Sequence, residues 1–255
     1  MKKNPNRVEE FVGIIRRLRK ECPWDREQTH ESIRHSLIEE TYEVVEAIDH
    51  GNMTELRNEL GDLLIHVAMH AVMAEEEQAF TLDDVLQAVS EKLIRRHPHV
   101  FGSAKAGSAG EVKANWERLK MQEGRKSILD GVPRKLPALL KARRLQEKAS
   151  KVGFDWNDKA DVWKKVREEI SELQRAEAEN DPAKIEEEFG DLLFSLVNYS
   201  RFLNVHPELA LSGTSDKFSR RFRQIEKKLG RRNVKPREAG LKLLDELWNE
   251  EKKKQ

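Results

Sequence analysis

Residues 39–64 read EETYEVVEAIDHGNMTELRNELGDLL, and this stretch decides the fold. Two pairs of acidic residues within it are each spaced by three positions: Glu40 with Glu43, and Glu59 with Asp62. Residues three apart share one face of an α-helix. Between the pairs lies His50-Gly51-Asn52, where glycine suits the left-handed backbone of a turn. We therefore predict two helices joined as a hairpin.

The spacing around this turn predicts which carboxylates meet. Residue 51 is the midpoint of Glu43 and Glu59, and it is also the midpoint of Glu40 and Asp62. In an antiparallel hairpin, residues equidistant from the turn lie at the same height. Glu43 should therefore face Glu59. Glu40 should face Asp62 one turn further along, ~4.5 Å away at ~1.5 Å per residue.

A second copy of the pattern follows at an offset of 129 residues. Residues 168–193 read EEISELQRAEAENDPAKIEEEFGDLL, with acidic residues at the corresponding positions: Glu168, Glu169, Glu172, Glu188 and Asp191. The mirror point is now Asn180, and Asn180-Asp181-Pro182 offers Asp as an N-cap and Pro at the first helical position. The turns differ in sequence, yet the symmetry is the same, which indicates a duplicated unit.

The rest of the chain predicts an all-α fold. Apolar residues recur with helical spacing in seven segments: 33–48, 56–73, 82–94, 138–149, 160–178, 183–203 and 217–229. Alternating, strand-like stretches are scarce. Three glycines among small residues in 102–111 indicate a flexible loop, and two Gly and two Pro in 124–137 indicate a linker. We therefore predict an N-terminal helical domain over 1–123, a linker over 124–137 and a C-terminal helical domain over 138–255.

Composition narrows the classes of function. Lys and Arg number 47 against 46 Asp and Glu, a formal charge of +1, which argues against a partner that is a nucleic-acid polymer. The single cysteine, Cys22, cannot form an intrachain disulfide and fits a reducing cytoplasm. No apolar run approaches the ~20 residues that cross a bilayer. We therefore expect a cytoplasmic protein that does not enter a membrane.

The carboxylates predict a metal site. Four of them crowded between two helices would repel one another strongly unless a cation neutralised them. Oxygen ligands suit Mg²⁺, with Mn²⁺ as a substitute, and Mg²⁺ commonly also binds the phosphates of a substrate. Basic residues follow each hairpin and could bind further phosphate oxygens: Lys92, Arg95, Arg96, Lys217, Arg220 and Arg221. The pattern therefore predicts a substrate that arrives with a metal ion, such as a nucleotide.

Together these motifs resemble the MazG-type nucleoside triphosphate pyrophosphohydrolases, all-α enzymes related to the dimeric dUTPases. Further residues strengthen the resemblance: Cys22-Pro-Trp-Asp25, Arg95-Arg-His-Pro-His-Val-Phe101, Asn115-Trp-Glu117, Gly153-Phe-Asp-Trp156 and Asn198-x-x-Arg201. The resemblance implies Mg²⁺-dependent cleavage of nucleoside triphosphates at the α–β phosphoanhydride, giving monophosphate and pyrophosphate. It also implies a homodimer whose helices complete four-helix-bundle-like cores, and a role in clearing aberrant or excess nucleotides.

The resemblance also implies roles for single residues. The metal ligands would be Glu40, Glu43, Glu59, Asp62, Glu169, Glu172, Glu188 and Asp191. Glu39 and Glu168 would orient the attacking water or a second metal. The candidate substrate-binding residues are Arg95, Arg96, Lys120, Lys165, Lys184, Lys217, Arg221 and Trp248, the last as a base-stacking residue.

Two questions stay open at this point. A non-catalytic, nucleotide-binding regulatory module would share the same metal site, so the sequence separates it poorly from an enzyme. A di-iron oxidase is disfavoured because the hairpins lack the Glu-x-x-His of that class. Both copies retain the full acidic set, so the dominant site and the preferred base are undecided, although the family resemblance favours the second copy.

Overall fold

The structure is a computed structural model that describes residues 7–105, 107–108, 110–112, 115–116 and 126–253. The described residues form helices and no strands, so the predicted all-α class is confirmed. The chain divides into two compact units, Met1–Leu119 and Lys120–Gln255. The predicted boundaries at residues 123 and 138, and the linker role of 124–137, stay predictions.

Six helices of the first unit have defined bounds. They are α1 (Arg7–Glu21), α2 (Pro23–Glu27), α3 (Arg34–Asp49), α4 (Met53–Glu76), α5 (Leu82–Arg96) and α6 (Pro98–Phe101). Helix α3 packs against α4 as the predicted hairpin, and α1 packs against the far half of α4. Thr81 and Asp84 begin α5 with a reciprocal capping box, which satisfies backbone donors that the first turn leaves unpaired.

The core of this unit lies away from the hairpin turn. Val12 and Ile15 of α1 pack with Met69, Val72 and other buried residues of α4. Ion pairs from α1 to the end of α4 flank this core: Arg16 with Glu75 at 3.0 Å and Arg19 with Glu76 at 2.6 Å. The end of the hairpin that carries the acidic residues is therefore left open.

The second unit has five α-helices with defined bounds and one short 3₁₀ turn. They are α7 (Ala138–Ser150), α8 (Lys159–Glu179), α9 (Pro182–Phe202), α10 (Pro207–Arg231), the 3₁₀ turn Pro236–Glu238 and α11 (Gly240–Lys252). Helices α8 and α9 form the second hairpin, α7 packs against α9 and α10, and α10 packs against α11. A core of Ile225, Leu229 and Leu247 joins α10 to α11.

The structure adds elements that the apolar pattern did not predict. Helices α1 and α11 and the short helices α2 and α6 were not predicted, and α10 begins at Pro207 rather than near residue 217. Helices α1 and α11 each have a clear apolar stripe that includes Val12, Ile15 and Leu247, so the periodicity argument could have found both. Within the described ranges, no helix combines the length and the apolar character that crossing a membrane requires.

Candidate active site

The two turns form as their sequences predict. Gly51 adopts a φ of +66°, and Asn52 caps α4 by accepting hydrogen bonds from the backbone N–H groups of Thr54 and Glu55. Asn180 is left-handed at φ 52°, Asp181 caps α9, and Pro182 is its first residue. Each hairpin therefore reverses at the predicted mirror point, which sets the register of the acidic residues.

In the first hairpin the register brings three carboxylates together. Glu40, Glu43 and Glu59 each place a carboxylate oxygen within 4.8 Å of the others. The predicted meeting of Glu43 with Glu59 across the hairpin is therefore confirmed. Asp62 lies outside this group of three, but its charge acts on both Glu40 and Glu59.

The second hairpin repeats the arrangement. Glu169, Glu172 and Glu188 form the same group of three within 4.8 Å, and the charge of Asp191 acts on Glu188. The two copies differ in burial: Glu169 is only 4% exposed, whereas the corresponding Glu40 is partly exposed. We call these groups the first cluster (Glu40, Glu43, Glu59) and the second cluster (Glu169, Glu172, Glu188).

The clusters are electrostatically unfavourable as bare carboxylates. Lost hydration, and next the charges of the neighbouring carboxylates, raise the pKa of Glu40 and Glu59 in the first cluster. The same causes in the same order raise the pKa of Glu188 in the second. A divalent cation would remove this repulsion, and a ligand set of carboxylate oxygens suits Mg²⁺ or Mn²⁺. The residues therefore fit the hard metal ion that the sequence predicts.

Two lysines lie beside the second cluster. Lys165 Nζ is 2.7 Å from Glu168 Oε1 and 2.8 Å from Glu169 Oε1. Lys184 Nζ is 2.7 Å from Glu179 Oε2, and the charge of Glu188 also acts on it. Glu168, predicted to orient water, is more than half exposed, at 57% of its side chain.

A cavity of about 800 Å³ opens against the second cluster. Lys165, Glu169 and Asp191 line one part of it, and most of the rest is apolar or aromatic. The remaining wall includes Phe154, Trp156, Phe194, Gln146, Asn198 and Arg201. Pockets of roughly 300–1,000 Å³ with few polar groups are typical of small-molecule sites.

The cavity wall joins motifs that are distant in the sequence. Arg201 Nη2 is 2.7 Å from Asp155 Oδ2, and Nη1 of the same guanidinium donates to Asn198 Oδ1, so the Gly153–Trp156 loop is held against α9. Gln146 was missed by sequence reasoning. Its Nε2 donates to the Phe194 carbonyl at 2.8 Å, and no sequence spacing indicates a contact between α7 and α9 of this kind.

The other predicted substrate-binding residues lie on different helices. The Arg221 guanidinium lies 5.6 Å from the Trp248 ring centroid, and Lys217 precedes it on α10. This group belongs to the α10–α11 pair, whereas the second cluster belongs to α8–α9. Arg95 and Arg96 end α5, and Lys120 falls outside the described residues.

A histidine that was not among the predicted site residues lies beside the first cluster. His66 Nε2 lies 4.0 Å from Glu40 Oε1, and burial lowers the pKa of this imidazole. One turn further along α4, His70 Nδ1 is 2.7 Å from His30 Nδ1. The mirror arithmetic could have found the first of these contacts, since residue 66 lies one turn beyond Asp62 on the face that meets Glu40.

The sequence of this chain is similar to those of known proteins. The profile of the MazG nucleotide pyrophosphohydrolase domain matches twice, over residues 28–101 and 159–230. A protein of Thermotoga maritima named nucleoside triphosphate pyrophosphohydrolase/pyrophosphatase MazG is 49% identical over 96% of this chain and 95% of its own length. The nucleoside triphosphate pyrophosphohydrolase of Escherichia coli K12 is 42% identical over 98% of both chains. A crystal structure of a mazG-related protein from Thermotoga maritima covers 45% of this chain and 99% of its own, at 31% identity and a TM-score of 0.40.

Proposed function

This chain belongs to the MazG nucleotide pyrophosphohydrolase family, and on that premise we propose that it hydrolyses nucleoside triphosphates at the α–β phosphoanhydride. Water is consumed, the bond between the α- and β-phosphates is broken, and the products are a nucleoside monophosphate and pyrophosphate. The observation that carries the proposal is the pair of mirrored carboxylate clusters, each assembled across a helical hairpin.

We propose Mg²⁺ as the cofactor, with Mn²⁺ as a substitute. The first and second clusters, together with Asp62 and Asp191, would hold it. When bound, the ion would neutralise phosphate charge and polarise the phosphoryl oxygens. The support is chemical: the donors are all carboxylate oxygens, and the raised pKa values of Glu40, Glu59 and Glu188 report repulsion that a cation would relieve.

The chain's own residues would perform the remaining steps. Glu168, and Glu39 in the first unit, would accept a hydrogen bond from water and orient it toward phosphorus. Lys165 and Lys184 are close enough to the second cluster to bind phosphate oxygens and to stabilise the charge that develops in the transition state. The remaining candidates for phosphate and base contacts are Lys217, Arg221, Trp248, Arg95, Arg96 and Lys120.

We propose that the second unit performs most of the turnover. Its cluster is flanked by Lys165 and Lys184 and opens into the cavity. Phosphates held by these lysines and by a cation at the second cluster would leave the nucleoside facing Phe154, Trp156 and Phe194. Aromatic side chains favour stacking with nucleobases. This placement makes Trp156 a second candidate, beside Trp248, for the residue that stacks on the base.

We propose a homodimer as the working assembly. Leu60, Leu64 and Val67 form a half-exposed apolar stripe on α4, and the same stripe recurs on α9: Phe189, Leu193 and Leu196. Residues spaced by four and three share one helix face, so each hairpin presents an apolar surface suited to another helix pair. A monomer in sedimentation velocity at micromolar concentration would contradict this assembly.

The proposed role is the removal of aberrant or excess nucleotides in the cytoplasm. The experiment that tests the activity incubates the purified chain with Mg²⁺ and a panel of normal and damaged nucleoside triphosphates. Products are resolved as monophosphate, diphosphate, pyrophosphate or phosphate. Monophosphate with equimolar pyrophosphate supports the proposal. Diphosphate with phosphate contradicts the cleavage position, and tight binding without any product favours a non-catalytic module.

A further inference from the structure

Lys165 places a positive charge in direct contact with the second cluster. Its Nζ is 2.8 Å from Glu169 Oε1 and 2.7 Å from Glu168 Oε1. Glu169 is one of the three clustered carboxylates and is only 4% exposed. The ammonium is therefore held by the two carboxylates that the proposed chemistry uses, one as a metal ligand and the other beside the water.

The Lys165 ammonium is paired with two carboxylates at once. The Lys165 ammonium donates hydrogen bonds to both Glu168 and Glu169, and its side chain is only 36% exposed. Both partners lie three and four residues further along α8, so the same helix presents all three groups on one face. Because Glu169 is buried, it has little freedom to turn away from the ammonium and offer its oxygens elsewhere.

We propose that Lys165 is an internal counter-ion that makes divalent-metal binding in the second unit depend on a bound triphosphate. This inference rests on the proposed function of the second cluster. An incoming cation and the Lys165 ammonium compete for the same carboxylate charge, and their own repulsion opposes joint binding. Triphosphate oxygens give the ammonium a new partner, so metal and nucleotide bind with positive coupling.

The first unit provides an internal comparison. At an offset of 129 residues, Ser36 stands where Lys165 stands, with Glu39 and Glu40 at the same spacings of three and four. A serine hydroxyl carries no charge and cannot neutralise these carboxylates. The first cluster should therefore bind a divalent ion without a nucleotide, and the second cluster should not bind it well until the nucleotide arrives.

The test measures Mn²⁺ affinity by electron paramagnetic resonance of the free ion, in the full chain. A Glu43→Gln background disables the first cluster. In that background we expect Lys165→Met to bind Mn²⁺ alone about tenfold more tightly than the parent, within the usual range of site-to-site coupling. A nonhydrolysable α,β-methylene triphosphate should strengthen Mn²⁺ binding in the parent, and Lys165→Met should lose most of that enhancement.

Two matched variants sharpen the result. Lys164→Met removes the neighbouring charge, which pairs with Asp161 at 2.7 Å on the outer face, and should leave Mn²⁺ affinity unchanged. Ser36→Lys, in a Glu172→Gln background, should weaken Mn²⁺ binding at the first cluster by about tenfold. The thermal melting of each variant checks that it is folded.

Three outcomes would overturn the inference. In the first, Lys165→Met binds Mn²⁺ no more tightly than its parent. In the second, Lys164→Met binds Mn²⁺ more tightly by the same factor, which would mean that any loss of surface charge has this effect. If Mn²⁺ bound neither cluster in any of these proteins, the proposed metal site would fail and the inference with it. In the first two cases pyrophosphate release by the wild type would be unaffected, so the two proposals can fail separately.

Discussion

The two hairpins of this chain have the same acidic frame and different surroundings. The first and second clusters assemble at the same spacing from different turn sequences. One layer beyond them, the first hairpin carries Ser36 and His66, whereas the second carries Lys165 and Ser195. A basic group thus faces the cluster in both copies, but it comes from opposite helices.

The chemical character of that basic group differs between the copies. His66 Nε2 lies 4.0 Å from Glu40 Oε1, and burial lowers the pKa of this imidazole, which favours its neutral form. Lys165 is charged and in direct contact with Glu169. The Lys184 position also differs, because Glu55 stands there in the first hairpin. The acidic frame is duplicated without its basic surroundings, and the proposed phosphate binding would depend on those surroundings.

The largest expected difference between the copies is in catalysis. Glu172→Gln removes one carboxylate of the second cluster and should lower kcat/KM by about 100-fold or more, because metal-ion stabilisation of the transition state amounts to several kcal/mol. Glu43→Gln makes the same change in the first cluster and should retain at least half of the wild-type rate. Steady-state pyrophosphate release measures both. Equal losses of activity in the two variants would show that both clusters contribute equally to turnover.

Substitutions in the cavity wall should have a smaller effect, and that effect should be confined to recognition of the nucleobase. Trp156→Leu removes an aromatic wall and should raise KM for nucleoside triphosphates by about tenfold, a loss within the usual range for base stacking. Inhibition by inorganic tripolyphosphate, which has no base, should not change. Trp248→Leu is the matched comparison. If Trp248→Leu alone weakens nucleotide binding, the base stacks at Trp248 and not in the cavity.

The smallest expected effect is on stability. Glu59 and Glu188 each have a raised pKa, so the folded protein binds protons more tightly than the unfolded chain at these groups. Their ionisation therefore destabilises the metal-free fold as pH rises through the raised pKa, and this cost is absent at acidic pH.

The corresponding measurement is thermal melting in EDTA. Glu59→Gln and Glu188→Gln should melt slightly higher than the wild type at pH 7, and the gain should shrink as the pH falls below the ordinary range of a glutamate. Excess Mg²⁺ should reverse the order, because the wild type then gains a ligand that the variants bind poorly. Variants that melt lower than the wild type in EDTA at pH 7 would mean that the carboxylates are not mutually repelling.

Sequence reasoning predicts the hairpins well because their geometry is local. A fixed rise per residue and a turn of known position determine which residues face each other, so Glu43 with Glu59 and Glu172 with Glu188 could be paired without a structure. The sequence predicts the turns at Gly51 and at Asn180-Asp181-Pro182 equally well. The same arithmetic places Asp62 level with Glu40 and Asp191 level with Glu169, yet the structure leaves both aspartates beside the groups of three rather than within them.

The surroundings of the site were not predictable in this way. The cavity wall comes from α7, the Gly153–Trp156 loop and α9, and their packing depends on contacts such as Gln146 with the Phe194 carbonyl. Such contacts join residues 48 positions apart and leave no periodic signal in the sequence. The placement of Lys217, Arg221 and Trp248 on a separate helix pair is likewise a property of tertiary packing.

The central claim is that the carboxylates of the second hairpin jointly hold a divalent ion for a polyphosphate. The most direct measurement is the anomalous scattering of Mn²⁺ in crystals grown with a nonhydrolysable α,β-methylene triphosphate. We predict a peak bounded by Glu169, Glu172 and Glu188, with phosphate oxygens completing its coordination. A bound analogue with no anomalous peak among these three side chains would contradict the account.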